Sequence, residues 1–320
     1  MSRYYLFGTL LTHYGSASIN HGKSKGNTSP LQKARWHNKI HSVVNGDPIR
    51  WALRFYWQQN GYPVNRNWDG DEFVNNWLDR NFNPGTFIDD DVLGYLRPEA
   101  ARRDVTEEID EENNDLVIEE ESSTQARPRH PQRMGALGVN RAYSLTPFDG
   151  GVTFNSKSGE KDSTSLHFIE FHNTRYQYVF GLDCNHLKNK SRILDVLDGL
   201  MSIRQVGGHN NVFCYDFSPE SFVLRWTRDP SPDMFYCFEQ LEVSPGVYAE
   251  PSISPSLNES VVNGDIEPDE LWIGGKIAKD FKLNNAHIYP GRKKAIAELK
   301  KVITEDLGKN EAKSKANAQT

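Results

Sequence analysis

Apolar and polar positions alternate along this chain in blocks short enough to be strands and long enough to be helices. Residues 4–11 form an unbroken aromatic and aliphatic run closed by small and polar residues, which predicts a strand buried on both faces. Residues 14–27 are small, polar or basic and read as a loop. A helix is expected next, with Asp47 at the N-cap, Pro48 at the first helical position and Ile49, Ala52, Leu53 and Tyr56 as its apolar stripe. Arg50 and Arg54 then share one face, and Asn60-Gly61 followed by Pro63 ends the helix.

Residues 64–133 interrupt this pattern. Trp68, Phe73, Trp77, Leu78 and Phe82 predict a small helical patch. Residues 99–132 hold too much charge to bury and are expected to be mobile. Strand signals resume over residues 138–146, and residues 148–165 read as a protruding loop or hairpin. Residues 166–182 alternate so that Phe168, Glu170, His172, Thr174, Tyr176, Tyr178 and Phe180 share a face. Ile193, Leu194, Leu197, Leu200, Met201 and Ile203 mark a second helix that stops before Gly207-Gly208. Residues 211–217 and 221–227 read as a hairpin, residues 233–290 as irregular with short strands, and residues 293–306 as a last helix before a disordered tail. The large elements run strand, helix, strand, strand, helix, strand: an α+β, ferredoxin-like order that RNA-recognition domains also use.

Composition sharpens this picture. Across 320 residues the net charge is −6, yet residues 1–66 carry nine Lys/Arg and one acid, Asp47, while residues 67–125 carry four and eighteen. Such an asymmetry is expected when one surface meets phosphate and another meets solvent or a partner. The three cysteines, Cys184, Cys214 and Cys237, have no ligand-like spacing and read as reduced residues of a cytoplasmic protein. No run of about 18 apolar residues occurs, so no membrane span is expected.

Enzymatic motifs are missing: no GxxxxGK[ST], GxSxG, HExxH or CxxC occurs. Asp183-Cys184-Asn185-His186 lacks a second cluster to complete a metal shell. Asp89-Asp90-Asp91 opens the acidic tract and reads as solvated surface. Binding signals are stronger. Lys23, Lys25, Lys33, Arg35 and Lys39 recur along a Gly/Ser/Asn-rich segment, which offers phosphates both charge and exposed backbone amides. The turn Gln205-Val206-Gly207-Gly208-His209 fits a phosphate cradle and a plain helix C-cap equally. The aromatic ribonucleoprotein motif is absent, so stacking on the sheet face is not expected.

Several blocks together carry a family resemblance. Phe7-Gly8-Thr9-Leu10-Leu11-Thr12-His13-Tyr14-Gly15-Ser16-Ala17-Ser18, Gly26-Asn27-Thr28-Ser29-Pro30-Leu31-Gln32-Lys33, Ala52-Leu53-Arg54-Phe55-Tyr56-Trp57, Arg133-Met134-Gly135-Ala136-Leu137-Gly138-Val139 and Asn173-Thr174-Arg175-Tyr176-Gln177-Tyr178 resemble the Cas-seven family, DevR branch, of type I CRISPR systems, subtype I-B. The resemblance spans most of residues 4–227 and fades after residue 230. It implies a modified RNA-recognition-motif palm (residues 1–63 and 134–308), inserted helical fingers (64–133) and a β-hairpin thumb (about 147–172), with the residues read as a disordered tail (309–320) beyond them.

It also implies a non-catalytic guide-RNA (crRNA) binding subunit without cofactors. Copies of the chain would stack into a helical Cascade backbone, present the guide to target DNA, and meet the five-prime-end cap subunit, the large and small subunits and the processing endonuclease. Projected here, the palm contacts are Ser16, Ser18, Asn20, Lys23, Asn27, Lys33, Lys39, His41, Ser42, Arg50 and Arg54, with Arg175 and the turn holding Gln205, Gly207, Gly208 and His209. Two alternatives stand beside this. A metal-dependent ribonuclease of the type III backbone kind needs a loop acid, and residues 14–40 contain no Asp or Glu. A stand-alone transcriptional regulator would need a DNA-reading element, and no helix-turn-helix signal is present.

Overall fold

The computed structural model describes residues 4–24, 26–96, 132–156, 166–207 and 215–317. Strand β1 (Tyr5–Thr12) lies at its centre, buried at every position after the first. After it come β2 (Gly15–Ala17), β3 (Lys33–Trp36), β4 (Lys39–Val44), helix α1 (Gly46–Gln59) and the short α2 (Ile88–Val92). The next elements are β5 (Leu137–Val139), β6 (Ala142–Ser144), β7 (Gly151–Ser156), β8 (Leu166–Thr174), β9 (Tyr176–Asp183), α3 (Arg192–Ser202) and β10 (Pro219–Thr227). The chain closes with α4 (Pro255–Val262), β11 (Leu271–Gly275), β12 (His287–Tyr289) and α5 (Arg292–Asn317).

The main sheet runs β12-β11-β10-β1-β9-β6-β4-β3, with β5 also paired to β9. β1 is antiparallel to both β9 and β10. Side chains of β1 alternate between two cores, as a strand's period of two requires. Leu6 and Leu10 join Tyr178, Phe180, Phe222 and Leu224 under α1, α3 and α5. Phe7 and Leu11 point the other way, into a second core with Val223, Met234, Phe238, Ile253 and Leu257. Gly8 is required on the first of these faces: a Cβ there would come within 2.3 Å of Phe180 and 2.7 Å of Leu224. Gly199 plays the same part between helices, where a Cβ would meet the Leu53 side chain at 2.3 Å.

The second core explains why the open sheet face is not a stacking platform. Residues 234–286 cover it, and Gln177 fixes that cover in both directions, donating to the Phe238 carbonyl (2.9 Å) and accepting the Phe238 amide (3.2 Å).

Several expectations change. α1 begins at Gly46 with Asn45 in the capping position, so Asp47 sits in the first turn instead of capping. Its end is as expected: Gly61 takes φ 77° and donates to the Gln58 carbonyl. The aromatic patch after residue 64 is a hairpin, Arg66–Asp69 against Val74–Trp77, not a helix. Arg66 lies over the Trp77 ring at 4.1 Å, a contact that strand alternation allows. The long run 166–182 is broken at Arg175, and its halves belong to different sheets. Strand β10 pairs with β1 and β11 instead of residues 211–217; positions 211–214 of that expected hairpin lie outside the described residues. The expected disordered tail continues α5 to Asn317, supported by helix-forming Lys and Ala and by the Lys309–Asp306 pair. Most of the expected mobile segment 99–132 lies outside the described residues, as do Lys25, Gly208, His209 and Cys214.

Candidate nucleic-acid interface

The residues expected to grip phosphate divide into two groups once the chain is folded. The first group is buried and spends its polar atoms inside the protein. Ser18 donates to the Glu170 carbonyl at 2.9 Å, and Ser42 lies 2.8 Å from both the His172 ring and the Tyr176 hydroxyl. His41 bonds the Ser144 carbonyl through Nδ1 at 2.7 Å; burial holds its pKa below the ordinary histidine value, so it stays neutral. Asn20 takes φ 57°, donates its backbone amide to the Gly207 carbonyl at 2.5 Å and its side-chain amide to Val43 at 2.9 Å. These side chains build the loop instead of lining it. A buried polar group without a partner would cost about 1–3 kcal/mol, which is why each has one.

Arg54 is the clearest correction. It is 9% exposed and its Nε lies 3.2 Å from Asp89 Oδ2. Arg50 donates to the Leu93 carbonyl on the same side of α1. The helix face that carries both arginines is turned toward α2, not toward solvent. Asp89-Asp90-Asp91 is correspondingly not solvated surface: the three are 3%, 2% and 0% exposed. Asp89 accepts the amides of Asn65 and Arg66, Asp90 accepts from Asn65 and Asn83, and Asp91 takes Arg133, Arg192 and two amides of the turn before α3. The triplet rivets the insert to the core.

The second group is exposed: Ser16, Lys23, Asn27, Lys33 and Lys39, with Gln205 and Gly207 half-buried beside them. Here too the local excess of cations is answered by acids from elsewhere. Lys33 reaches Glu170 at 2.5 Å and lies 4.2 Å from the Phe148 ring centroid. Lys39 reaches Glu242 at 3.2 Å. Arg175, 7% exposed, bonds Glu220 and faces Glu250. Lys23 and Arg35 are exposed with no acidic partner among the described residues.

Magnitudes separate these contacts. Breaking a buried pair such as Arg54–Asp89 costs about 3–5 kcal/mol because a charge is stranded. An open pair such as Lys39–Glu242 contributes little and can be exchanged for a phosphate. The loop is therefore less basic than its sequence. Lys23 and Arg35 are its unpaired cations among the described residues. Lys39, opposite Trp36 in the β3–β4 register and so on the other face of that hairpin from Arg35, is held by the open Glu242 pair.

The face has a fixed shape. The β3–β4 turn, His37-Asn38, holds both residues at positive φ (44° and 64°), the geometry that matches strand twist in a two-residue hairpin. Behind it, Glu170 accepts the Leu31 amide at 2.8 Å as well as Lys33. Sequence reasoning missed Glu170 and His172 as the anchors of the loop. Their signal was present, since an acid and a histidine interrupt an otherwise apolar alternation.

Next to the loop stands the antiparallel hairpin β7–β8, with Gly151 opposite Phe171 and Ser156 opposite Leu166. One face is apolar and open: Val152, Phe154, Leu166 and Phe168 are 55%, 67%, 40% and 41% exposed. No described helix is long and apolar enough to cross a membrane.

No family profile matches the chain. It is 32% identical over 302 residues, 90% of its own length and 91% of the relative's, to a protein of Myxococcus xanthus (strain DK1622) described as CRISPR-associated protein Cas7/Cst2/DevR. Its fold is similar to chains of two solved assemblies. One, described as a CRISPR RNA-guided surveillance complex, aligns with TM-score 0.54 at 11% identity over 93% of this chain and 99% of that one. The other, described as the pre-nicking form of such a complex, aligns with TM-score 0.54 at 9% identity over 93% and 100%.

Proposed function

Because the chain belongs to the CRISPR-associated Cas7/Cst2/DevR family, we propose that it is a guide-RNA-binding backbone subunit of a CRISPR surveillance complex. The observation that carries this reading is the 32% identity sustained over 90% of the chain. In this reading β10, β1, β9 and β5, with α1 and α3 on one side, are a ferredoxin-like palm. The hairpin β7–β8 is the thumb, and the Arg66–Trp77 hairpin with α2 belongs to the fingers.

The palm holds the ribose-phosphate chain along the loop of residues 15–39. Ser16, Lys23, Asn27, Arg35 and Lys39 meet the strand, while the buried Ser18, Asn20, His41 and Ser42 keep the loop in shape. Holding backbone instead of base edges leaves the guide free to pair with target DNA. Copies of the chain then line one guide, and the remaining subunits of the assembly close its ends. The subunit is read as non-catalytic. Among the carboxylates that folding brings against the loop, Glu170 is already engaged by Leu31 and Lys33, and Glu242 by Lys39.

Co-expression with a guide tests the reading. The wild-type chain is expected to purify with RNA of one length, and the variant Lys23→Glu/Arg35→Glu/Lys39→Glu without it, both folded by circular dichroism. RNA carried equally by the triple variant would exclude this loop face.

A further inference from the structure

Two cations without acidic partners stand together in a hollow on the helical side of the molecule. Between the end of α3 and the first turns of α5 lies an open cavity of about 540 Å³. Arg204 lines it from the α3 side and Lys293 from α5; both are exposed and form no ion pair among the described residues. Two further cations frame the cavity and are already held, Arg292 by the Pro219 carbonyl and Lys300 by Asp198. The acids in the lining are Asp198, engaged by Lys300, and Asp216, whose carboxylate accepts the Ser218 amide at 2.9 Å. Four cations therefore face two carboxylates, and both carboxylates are spoken for.

The electrostatics of α5 deepen the imbalance. This helix opens Arg292-Lys293-Lys294, with no acid in its first turn. Helix N-termini carry partial positive charge and amides without intrahelical acceptors, so cations there are the unfavourable choice unless an anion joins them. Within the cavity, Met201 and Ile296 add apolar lining. Cations together with apolar wall in a space of this size suit a nucleotide unit better than a bare ion.

We propose that this cavity binds a nucleotide unit of a single nucleic-acid strand, with Arg204 and Lys293 on its phosphate and Met201 and Ile296 against its sugar or base. The cavity stands on its own lining; its assignment to a strand rests on the guide-RNA reading of the loop face. A strand is favoured over a free nucleotide because Arg204 leads directly into the turn at Gly207, whose carbonyl holds Asn20 in that loop.

The test titrates the full chain with a short fluorescein-labelled single-stranded RNA across a salt series. Arg204→Glu/Lys293→Glu is compared with wild type, with the charge-preserving Arg204→Lys/Lys293→Arg and with Lys23→Glu/Arg35→Glu on the loop face. Affinity is expected to fall about tenfold or more in the cavity variant and its salt slope to drop by roughly 0.7, the share of one phosphate on a single strand. The charge-preserving pair should stay near wild type, and the cavity variant should lose no thermal stability, since both positions are exposed and an acid in the first turn of α5 suits the helix dipole. Wild-type affinity and slope in the cavity variant, with loss only in the loop variant, would overturn the cavity and leave the guide reading intact. Loss only in the cavity variant would support the cavity and count against the loop face. Adenosine monophosphate competing as strongly as the RNA would overturn the assignment to a strand.

Discussion

Asn20 and Gly207 are joined by a backbone hydrogen bond of 2.5 Å, and both residues sit in the left-handed region, at φ 57° and 71°. The bond ties the loop after β2 to the turn after α3, so two segments far apart in sequence share one anchor. A Cβ on Gly207 would lie 3.1 Å from Asn20 Cβ and 3.2 Å from its amide nitrogen. Gly207→Ala is therefore expected to cost about 1–3 kcal/mol, from strain at positive φ and crowding. Chemical denaturation checks this, and the loop amides of residues 20–32 should exchange hydrogen faster in the variant.

Arg54 and Lys39 came from one basic segment and are expected to behave oppositely. Arg54→Ala strands Asp89 in the interior and should destabilise the chain by about 3–5 kcal/mol. Lys39→Ala, on an open pair, should leave stability unchanged while weakening RNA binding. Paired denaturation and binding curves separate the two roles.

Two buried groups give the chain opposing responses to acid. Desolvation first, with the backbone bond from Asn83 opposing it and the Asp89 charge adding to it, raises Asp90 from 3.8 to about 6. Folded Asp90 therefore takes up a proton before the unfolded chain does, and its contribution to stability grows as pH falls from about 6 toward 3.8. His172 is lowered by desolvation from 6.5 to about 4, so the unfolded chain is protonated first and stability is lost over pH 6.5 to 4. Asp90→Asn keeps an oxygen for Asn65 and Asn83 and should be no less stable at pH 7, yet more sensitive to acid. His172→Gln should be less sensitive to acid. Unfolding midpoints at pH 7 and pH 5 decide both.

The apolar face of the β7–β8 hairpin gives a fourth expectation. Phe154 is 67% exposed and opposite Phe168 in register, so Phe154→Ser should leave the thermal midpoint of the single chain in place. If the hairpin is the thumb, the same variant should shorten or abolish assembly on RNA in size-exclusion chromatography with light scattering.

The chain's periodicity made its framework legible and left its electrostatics hidden. β1, α1 and α3 could be read because their apolar spacing matches elements buried on predictable faces: Leu6 and Leu10 to one side, Phe7 and Leu11 to the other. The covered sheet face agrees with the missing aromatic motif. Charge was harder, because a count along the sequence does not know which acids return in space. Glu170, Glu242 and Asp89 come from distant segments and meet Lys33, Lys39 and Arg54. The aspartate triplet looked like surface because its partners Arg133 and Arg192 lie far along the chain. Ser18 and Asn20 were placed in the right loop, and Ser42 lies in β4 behind it, but which way a small polar side chain turns is set by tertiary hydrogen bonds that no local spacing records.

Native mass spectrometry of the complex purified with its guide is the most direct test of the account. It predicts several copies of the 36.5 kDa chain on a single RNA, with the number of copies rising as the guide is lengthened. A single copy per particle whatever the guide length, or an assembly of the chain that holds no RNA, would contradict it.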